Sequence, residues 1–276
     1  MLIGHETKIQ LAEFSTHFGL LLPQQKQFQD KSKKLEQILA YLETIHSQLR
    51  HYSTKRELVI IDSGAGNCYL SFIVYYFYQI IMKRPVQLHC IDINERLMDK
   101  NREFAQQLGF SDMFFHACDI ATYQHQGKVD LAYSLHACDT ATDKAILLGA
   151  QNQARHILSA SCCQHSIKKS MQTMKTTKGI TRHTIYRDRM LYMLADSMRA
   201  LLLEMLGYQV DVIEFVSSRA TDKNTLLRAH KRQCRDPEEL RQQYQDLRNA
   251  FRVVPALETY LKKADLLTLC GISATK

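Results

Sequence analysis

Tryptophan is absent from the 276-residue sequence, and proline (4) and glycine (10) are scarce. No low-complexity tract or internal repeat is visible, which argues against disordered and fibrous proteins. The longest apolar run, residues 69–82, is shorter than the about 20 residues that a bilayer span needs, so it predicts a helix buried against a sheet. The N-terminal residues lack the basic region and apolar core of a signal peptide. With a hydrophobic fraction of 45%, the chain can form one sizeable core.

A CxxC pair is also missing, although the chain has 8 cysteines. Zinc ribbons hold their metal with such pairs, so we expect no metal centre of that type. A disulfide framework is typical of short secreted chains, and this sequence has neither that length nor a secretion signal. We therefore expect a cytoplasmic protein with free thiols and no association with a membrane.

Positive charge dominates, with a net charge of +8, but it is unevenly spread. Residues 57–167 contain 8 Lys/Arg against 11 Asp/Glu, whereas residues 168–199 contain 8 Lys/Arg against 2 Asp/Glu. A mildly acidic core with basic flanks suggests a polyanionic partner, and nucleic acid is the first candidate. The alternative is an ordinary solvated basic surface.

Apolar strands alternate with helical patterns along most of the chain. Before them, apolar residues from Leu35 to Leu42 recur at helical spacing and predict a helix over residues 31–50, with Ser32 as its N-cap. The predicted strands are residues 58–62, 86–92, 113–119, 129–135, 154–160, 208–216 and 224–231. The predicted helices that follow are residues 68–82, 95–109, 141–149, 186–206 and, in the tail, 236–251.

This alternation predicts an α/β fold with a Rossmann-like parallel sheet and helices on both faces. The connection over residues 217–223 is too short for a parallel crossover, so the seventh strand should run antiparallel. A seven-stranded sheet of this kind is the layout of the class I methyltransferase fold. We expect a helical N-terminal segment (1–56), a cofactor-binding domain (57–231) and a helical C-terminal tail (232–276).

The stretch LVIIDSGAGNCYLSF, residues 58–72, places a glycine loop after the first strand. Glycines let the backbone approach a ligand closely, and the following helix offers free N–H groups. A dinucleotide loop has the pattern GxGxxG, but Tyr69 stands where the third glycine would be. Asp62 would repel pyrophosphate and would suit the ammonium of S-adenosylmethionine (SAM). The alternative is a strand that turns tightly into a helix without a ligand.

Further aspartates follow successive strands: Asp92 after the second, Asp119 after the third and Asp139 after the fourth. A carboxylate at the first position can accept both ribose hydroxyls, and one at the second can meet the adenine amino group. Ligands bind at this edge in open α/β folds. Alternatively, each aspartate is a helix cap or a turn former.

The segments DSGAGNCYLSF, CIDINERL, SLHACDTATDKAI and SCCQH resemble a methyltransferase-domain family that includes the methyltransferase-like 25 group and many bacterial chains. The resemblance covers about residues 30–231 and departs from the family loop pattern at Cys68, where a glycine is usual. It implies a SAM-dependent methyltransferase whose cofactor is bound by Asp62, Gly64, Gly66, Asp92 and Asp119, with the neighbouring Ile93, Ile120 and Leu135 assigned to the same site.

Cysteines and histidines follow the fourth and fifth strands, which are neighbours in this fold. His136, Cys138 and Asp139 follow the fourth strand, and Cys162, Cys163 and His165 the fifth. They could form a shaped pocket in which proximity drives methyl transfer. His136 or Asp139 could instead take a proton from the acceptor. A third interpretation is special cysteine chemistry at Cys138, or zinc binding; a plain buried cysteine is the simplest alternative.

A basic stretch follows the fifth strand and should overhang the active-site edge. Candidate substrate-binding residues are Lys168, Lys169, Arg182 and Arg187, with Arg219 and Lys223 in the last loop. Such a segment suits a phosphate backbone, so the preferred acceptor is RNA. Alternatives are a small-molecule or protein acceptor, and a SAM-binding module without catalysis. An NAD-dependent oxidoreductase is disfavoured by the loop chemistry.

Overall fold

The computed structural model describes residues 2–18, 28–137, 140–161, 167–168, 175, 177–217, 224–232 and 236–267, without the side chains of residues 28–32 and His136. The strands are β1 Leu58–Ser63, β2 Val86–Asp92, β3 Met113–Ala117, β4 Leu131–Ala137, β5 His156–Ser161, β6 Tyr208–Glu214 and β7 Thr225–Lys231. The helices in the described part of the chain are α1 His5–Ser15, α2 Phe28–Leu49, α3 Tyr69–Tyr75, α4 Glu95–Gln107, α5 Thr140–Gln151, α6 Lys178–Thr181, α7 Thr184–Met205, α8 Pro237–Phe251 and α9 Ala256–Lys263.

The seven strands form one sheet in the order β3-β2-β1-β4-β5-β7-β6. Strands β1 to β5 pair in parallel, and β7 is antiparallel to both β5 and β6. The predicted architecture, with its antiparallel last strand, is therefore confirmed. The strand order reverses between β1 and β4, so their carboxyl ends mark the switch point at which such sheets bind ligands.

Helices cover both faces of the sheet because the side chains of each strand alternate between them. On one face, Ile60 and Leu88 pack with buried residues of α1 to α4. On the other, Ile61 and Ile91 pack with α5 and α7 to α9. The helices from both ends of the chain thus share the core with the sheet, and the proposed division into three segments stays a prediction.

Several boundaries differ from those predicted. Helix α2 begins at Phe28, so the prediction of Ser32 as its N-cap is wrong. The predicted helix over residues 68–82 is α-helical only to Tyr75 and continues as a π-helical turn over Tyr76–Ile81. Strand β4 extends to Ala137, and β3 ends at Ala117, two residues before Asp119. In the described residues, no helix is long and apolar enough to cross a membrane.

Candidate functional site at the carboxyl edge of the sheet

The glycine loop turns sharply beneath the neighbouring strand. Gly64 and Gly66 have φ values of +76° and +52°, a region that side chains disfavour. The backbone N–H groups of Gly64 and Ala65 donate to the carbonyl of Ile91 at 2.8 and 3.0 Å, which fastens the loop to β2. A Cβ atom on Gly64 would lie 3.5 Å from the Cβ of Ala137. The glycines therefore allow the chain to turn tightly between β2 and β4.

Cys68 occupies a conformation that favours glycine. Its φ and ψ are 54° and 23°, in the left-handed region, and helix α3 begins at the next residue. The side chain is 1% exposed, and its sulfur accepts a hydrogen bond of 3.1 Å from the Asn101 amide, which also donates to the carbonyl of Gly66 at 2.9 Å. A left-handed residue with a side chain costs about 1–2 kcal/mol. Burial and the Asn101 contact offset this cost.

Asp62, at the end of β1, is buried against α3. Its carboxylate accepts a short hydrogen bond from the Ser71 hydroxyl. The Ser71 Oγ atom also lies 3.1 Å from the Tyr133 hydroxyl oxygen. Burial raises the pKa of Asp62 to about 7, and the charge of Asp92 adds to the increase, while the Ser71 and Tyr133 hydrogen bonds oppose it. The group is thus poised near neutral pH to be ionised by an approaching cation.

Asp92, at the end of β2, holds two turns in place. Its two carboxylate oxygens accept backbone N–H bonds of 2.9 Å each, from Gly66 and from Asn94. Asn94 in turn caps α4 by accepting from the Leu97 N–H at 3.1 Å. A carboxylate has about four lone-pair positions, so Asp92 can accept further donors. Beside it, Ile93 is 76% exposed, an unusual exposure for isoleucine.

Asp119 acts as the cap of a short 3₁₀ turn over Ile120–Thr122. It accepts the N–H of Ala121 at 2.9 Å and pairs with the Lys144 ammonium at 2.5 Å. The Lys144 hydrogen bond lowers the pKa of Asp119. This partner was not predicted from the sequence, because Lys144 lies on another element, α5. Ile120 is buried and approaches the loop: its Cδ1 would lie 3.9 Å from a Cβ on Gly64.

A cavity of about 220 Å³ opens at the loop, and four predicted residues line it: Asp62, Gly64, Gly66 and Leu135. Helix α2 closes its other side with Lys34, Gln37 and Ile38. The Lys34 ammonium lies 4.4 Å from the centre of the Tyr69 ring, also in the cavity wall. Sequence reasoning missed the contribution of α2, because no local pattern places a distant helix over the loop.

The predicted cysteine–histidine edge lies largely outside the described residues. Cys138, Asp139, Cys162, Cys163 and His165 are not described. His136 was predicted to follow the fourth strand, which is wrong, because it lies within β4. There, Leu135 pairs with Ala160 and Ala137 with Ser161, so His136 is the extra residue of a β-bulge. Among the described residues, no group of three or more His, Cys, Asp or Glu side chains could hold a metal ion.

The predicted substrate-binding residues are only partly described. Lys169, Arg219 and Lys223 fall outside the described ranges, and Lys168 is half-buried. The Arg182 guanidinium donates to the His183 ring at 3.0 Å. Arg187 pairs with Asp188 at 3.2 Å. The structure therefore places part of the basic stretch just before and within the first turns of α7.

A second cavity, of about 530 Å³, lies where β5 ends. Ser161 at the end of β5 contributes to it, as do Arg189, Met193 and Asp196 from α7 and Val212 and Glu214 from β6. Ala160 pairs with Leu135, which lines the first cavity, and Ser161 follows Ala160. The two cavities are thus neighbours along the carboxyl edge of the sheet. No pattern in the sequence marked the second one.

Comparison with known proteins identifies one family. The family model that describes a methyltransferase domain matches residues 33–170, which is half of the chain. No curated protein matches the sequence significantly. Among solved structures, magnesium protoporphyrin IX methyltransferase (ChlM) from Synechocystis PCC 6803 with bound SAM is 16% identical, with a TM-score of 0.47, over 84% of this chain and 99% of that chain. The 23S rRNA methyltransferase ErmE is 10% identical, with a TM-score of 0.43, over 74% of this chain and 75% of that chain. Similarity at this level carries no information on the acceptor.

Proposed function

The chain belongs to a family of methyltransferase domains that use SAM, and on that basis we propose that it transfers the methyl group of SAM to RNA. The family assignment favours SAM over NAD as the cofactor.

The observation that carries the cofactor assignment is the buried Asp62 in the wall of the loop cavity. SAM has an ammonium group and a carboxylate at one end, and the cavity has opposite charges for both in Asp62 and Lys34. An ammonium beside Asp62 would favour the ionised carboxylate and recover part of the cost of burying it. A pyrophosphate, by contrast, would be repelled by Asp62.

The rest of the cofactor would extend along the strand ends. The cavity of about 220 Å³ is smaller than the about 300 Å³ at the lower end of ligand sites, so it suits only the amino-acid part. Asp92 has unused lone pairs for the ribose hydroxyls. The exposed Ile93 offers an apolar face to adenine, with Asp119 and Ile120 on the neighbouring strand end. We keep all eight predicted positions, including Gly64, Gly66 and Leu135, in this assignment.

RNA as the acceptor is supported by the net charge of +8 and by the position of its basic part. Arg189 lines the second cavity together with Ser161, so the basic stretch reaches the carboxyl edge of β5. Lys168, Arg182 and Arg187 belong to the same stretch. Arg and Lys side chains bind the phosphate backbone independently of sequence.

Methyl transfer needs an acceptor atom aligned with the donor. When bound, the cofactor supplies an electrophilic methyl group on its sulfonium. The protein then contributes mainly proximity and orientation. We retain His136 or Asp139 as the group that takes the acceptor proton, and Cys138 as the third candidate.

The test is incubation of the purified protein with SAM that carries a radioactive methyl group and with total cellular RNA. We expect the radioactive label in the RNA fraction, from which ribonuclease digestion should release it. We also expect production of S-adenosylhomocysteine. Label confined to protein or to small molecules would refute the RNA acceptor. Binding of SAM without turnover in any fraction would favour the non-catalytic module. The Asp92→Ala variant is the control for labelling by a contaminant.

A further inference from the structure

The second cavity contains a buried carboxylate with acceptor capacity to spare. Asp196 is 6% exposed and lines the cavity. Its Oδ1 accepts from the Ser161 hydroxyl at 3.1 Å and from the Arg199 guanidinium at 3.2 Å. Among the described residues, Oδ2 accepts only from the same Ser161 hydroxyl, at 3.5 Å, which is a long and weak hydrogen bond. Oδ2 can therefore accept another donor.

Arg199 does not neutralise Asp196 fully, because it is shared. It is 1% exposed and binds Asp143 through two of its nitrogens, at 2.8 and 3.1 Å, which leaves a single bond to Asp196. Two carboxylates thus face one guanidinium in the interior. The cluster favours a ligand that brings an N–H donor to the cavity.

The cavity also has exposed apolar side chains in its lining, unlike the buried Asp196. Met193 is 70% exposed and Val212 55% exposed, and both line the cavity. Apolar side chains of this kind can pack against the flat face of an aromatic ring. Arg189 stands at the same cavity and can bind a phosphate outside it. Exposed apolar side chains, a buried carboxylate and a guanidinium that line one cavity match the chemistry of one nucleotide.

We propose that this cavity receives the target nucleobase of the RNA and selects a base with an exocyclic amino group, because Asp196 accepts its N–H. Proteins that read unpaired RNA bases stack them on side chains and bind their edges by hydrogen bonds. Aspartate accepts from the N4 amino group of cytosine, whereas uracil has an oxygen at that position, which a carboxylate repels. The inference rests on the proposed function, and it names the class of base that is methylated.

The test compares cytidine with uridine. The two nucleosides differ only at C4, where uridine has an oxygen in place of the amino group, and at N3, where uridine has a proton. Binding to the wild-type protein is measured by ligand-observed NMR with S-adenosylhomocysteine present, at pH 8 because burial raises the pKa of Asp196 and a higher pH favours its ionised form. We expect cytidine to bind at least about tenfold more tightly, as one hydrogen bond to a charged group allows. Equal binding, or no binding of either nucleoside, would overturn the proposal.

Variants locate the effect. In Asp196→Asn, the preference for cytidine should shrink to less than about threefold, whereas Glu214→Gln, the matched change of an exposed carboxylate in the same cavity, should keep it. A preference that persists in Asp196→Asn would contradict the assignment. If that variant does not fold, Val212→Arg, a change at an exposed strand position, should abolish cytidine binding, and unchanged binding would be equally contradictory.

Separate results distinguish an error in the base site from an error in the RNA acceptor. If cytidine and uridine bind equally while RNA is labelled, the base site is wrong and the methyltransferase assignment stands. If cytidine binds selectively but no RNA is labelled, the cavity is a nucleobase site and the acceptor assignment is wrong.

Discussion

Replacement of Asp62 by asparagine should stabilise the cofactor-free protein above neutral pH and weaken its binding of SAM. In the folded protein, burial raises the pKa of Asp62 from 3.8 to about 7. A carboxylate whose pKa is raised on folding favours the folded state at pH values below 3.8, and this contribution is lost as the pH rises through 7. Asparagine keeps the shape of the side chain and has no charge to bury.

The magnitude follows from the two pKa values. One pH unit corresponds to 1.36 kcal/mol, so the difference between 3.8 and about 7 amounts to about 4 kcal/mol of unfolding free energy at pH 8. This is an upper bound, since asparagine also replaces one acceptor oxygen with an NH₂ group next to Ser71. The variant should therefore gain up to about 4 kcal/mol at pH 8 and almost nothing at pH 4.

Urea unfolding of both proteins at pH 4 and pH 8 measures this difference. The matched control is Asp99→Asn, because the Asp99 side chain is 54% exposed and pairs with Arg102 at the surface, where such pairs contribute little. Calorimetry at pH 8 should show at least about tenfold weaker SAM binding in Asp62→Asn. If this variant is less stable than the wild type at pH 8, the argument that Asp62 is kept at a cost for cofactor binding is refuted.

Three further predictions concern the loop and the core. Gly66→Ala and Gly109→Ala should each lower the free energy of unfolding in urea by about 1 kcal/mol. Both residues have positive φ and open space for a methyl group, so the cost comes from the backbone conformation. Only Gly66→Ala should weaken SAM binding in calorimetry. Arg199→Met should lower the free energy of unfolding by about 3–5 kcal/mol, because it leaves the buried Asp143 and Asp196 without their cation. The control Arg228→Met, at a surface pair, should lower it by less than about 1 kcal/mol. Ser71→Ala removes a hydrogen bond that lowers the pKa of Asp62, so less of this carboxylate should be ionised near neutral pH. The variant should therefore weaken SAM binding more at pH 6.5 than at pH 8. Equal weakening at both pH values would contradict this.

The sheet could be predicted because its strands are short, apolar and separated by helical patterns. Strand β2 has the predicted bounds, residues 86–92, and the short connection before β7 correctly indicated an antiparallel strand. The sequence does not reveal that β4 continues to Ala137. A β-bulge depends on the register with β5, which the residues of one strand do not specify.

The candidate site was only partly predictable, for a related reason. The loop residues Asp62, Gly64 and Gly66 lie within five consecutive positions of the sequence, so a local pattern was enough to predict them as a cofactor loop. Lys34, which lines the same cavity, lies on a helix far away in the chain. Asp196 resembles the other charged residues of a long amphipathic helix, and only its contacts with Ser161 and Arg199 reveal that it is buried.

The measurement that tests the account most directly is calorimetric titration of the purified protein with SAM and S-adenosylhomocysteine, repeated on Asp92→Ala. We predict that both ligands bind the wild-type protein and that Asp92→Ala weakens them at least about tenfold, because the ribose hydroxyls and the Gly66 N–H lose their common acceptor. Asp99→Ala, on the exposed side of α4, should bind both ligands as the wild type does. Failure of the wild-type protein to bind either ligand, or equal binding by Asp92→Ala, would contradict the assignment of the cofactor to this loop.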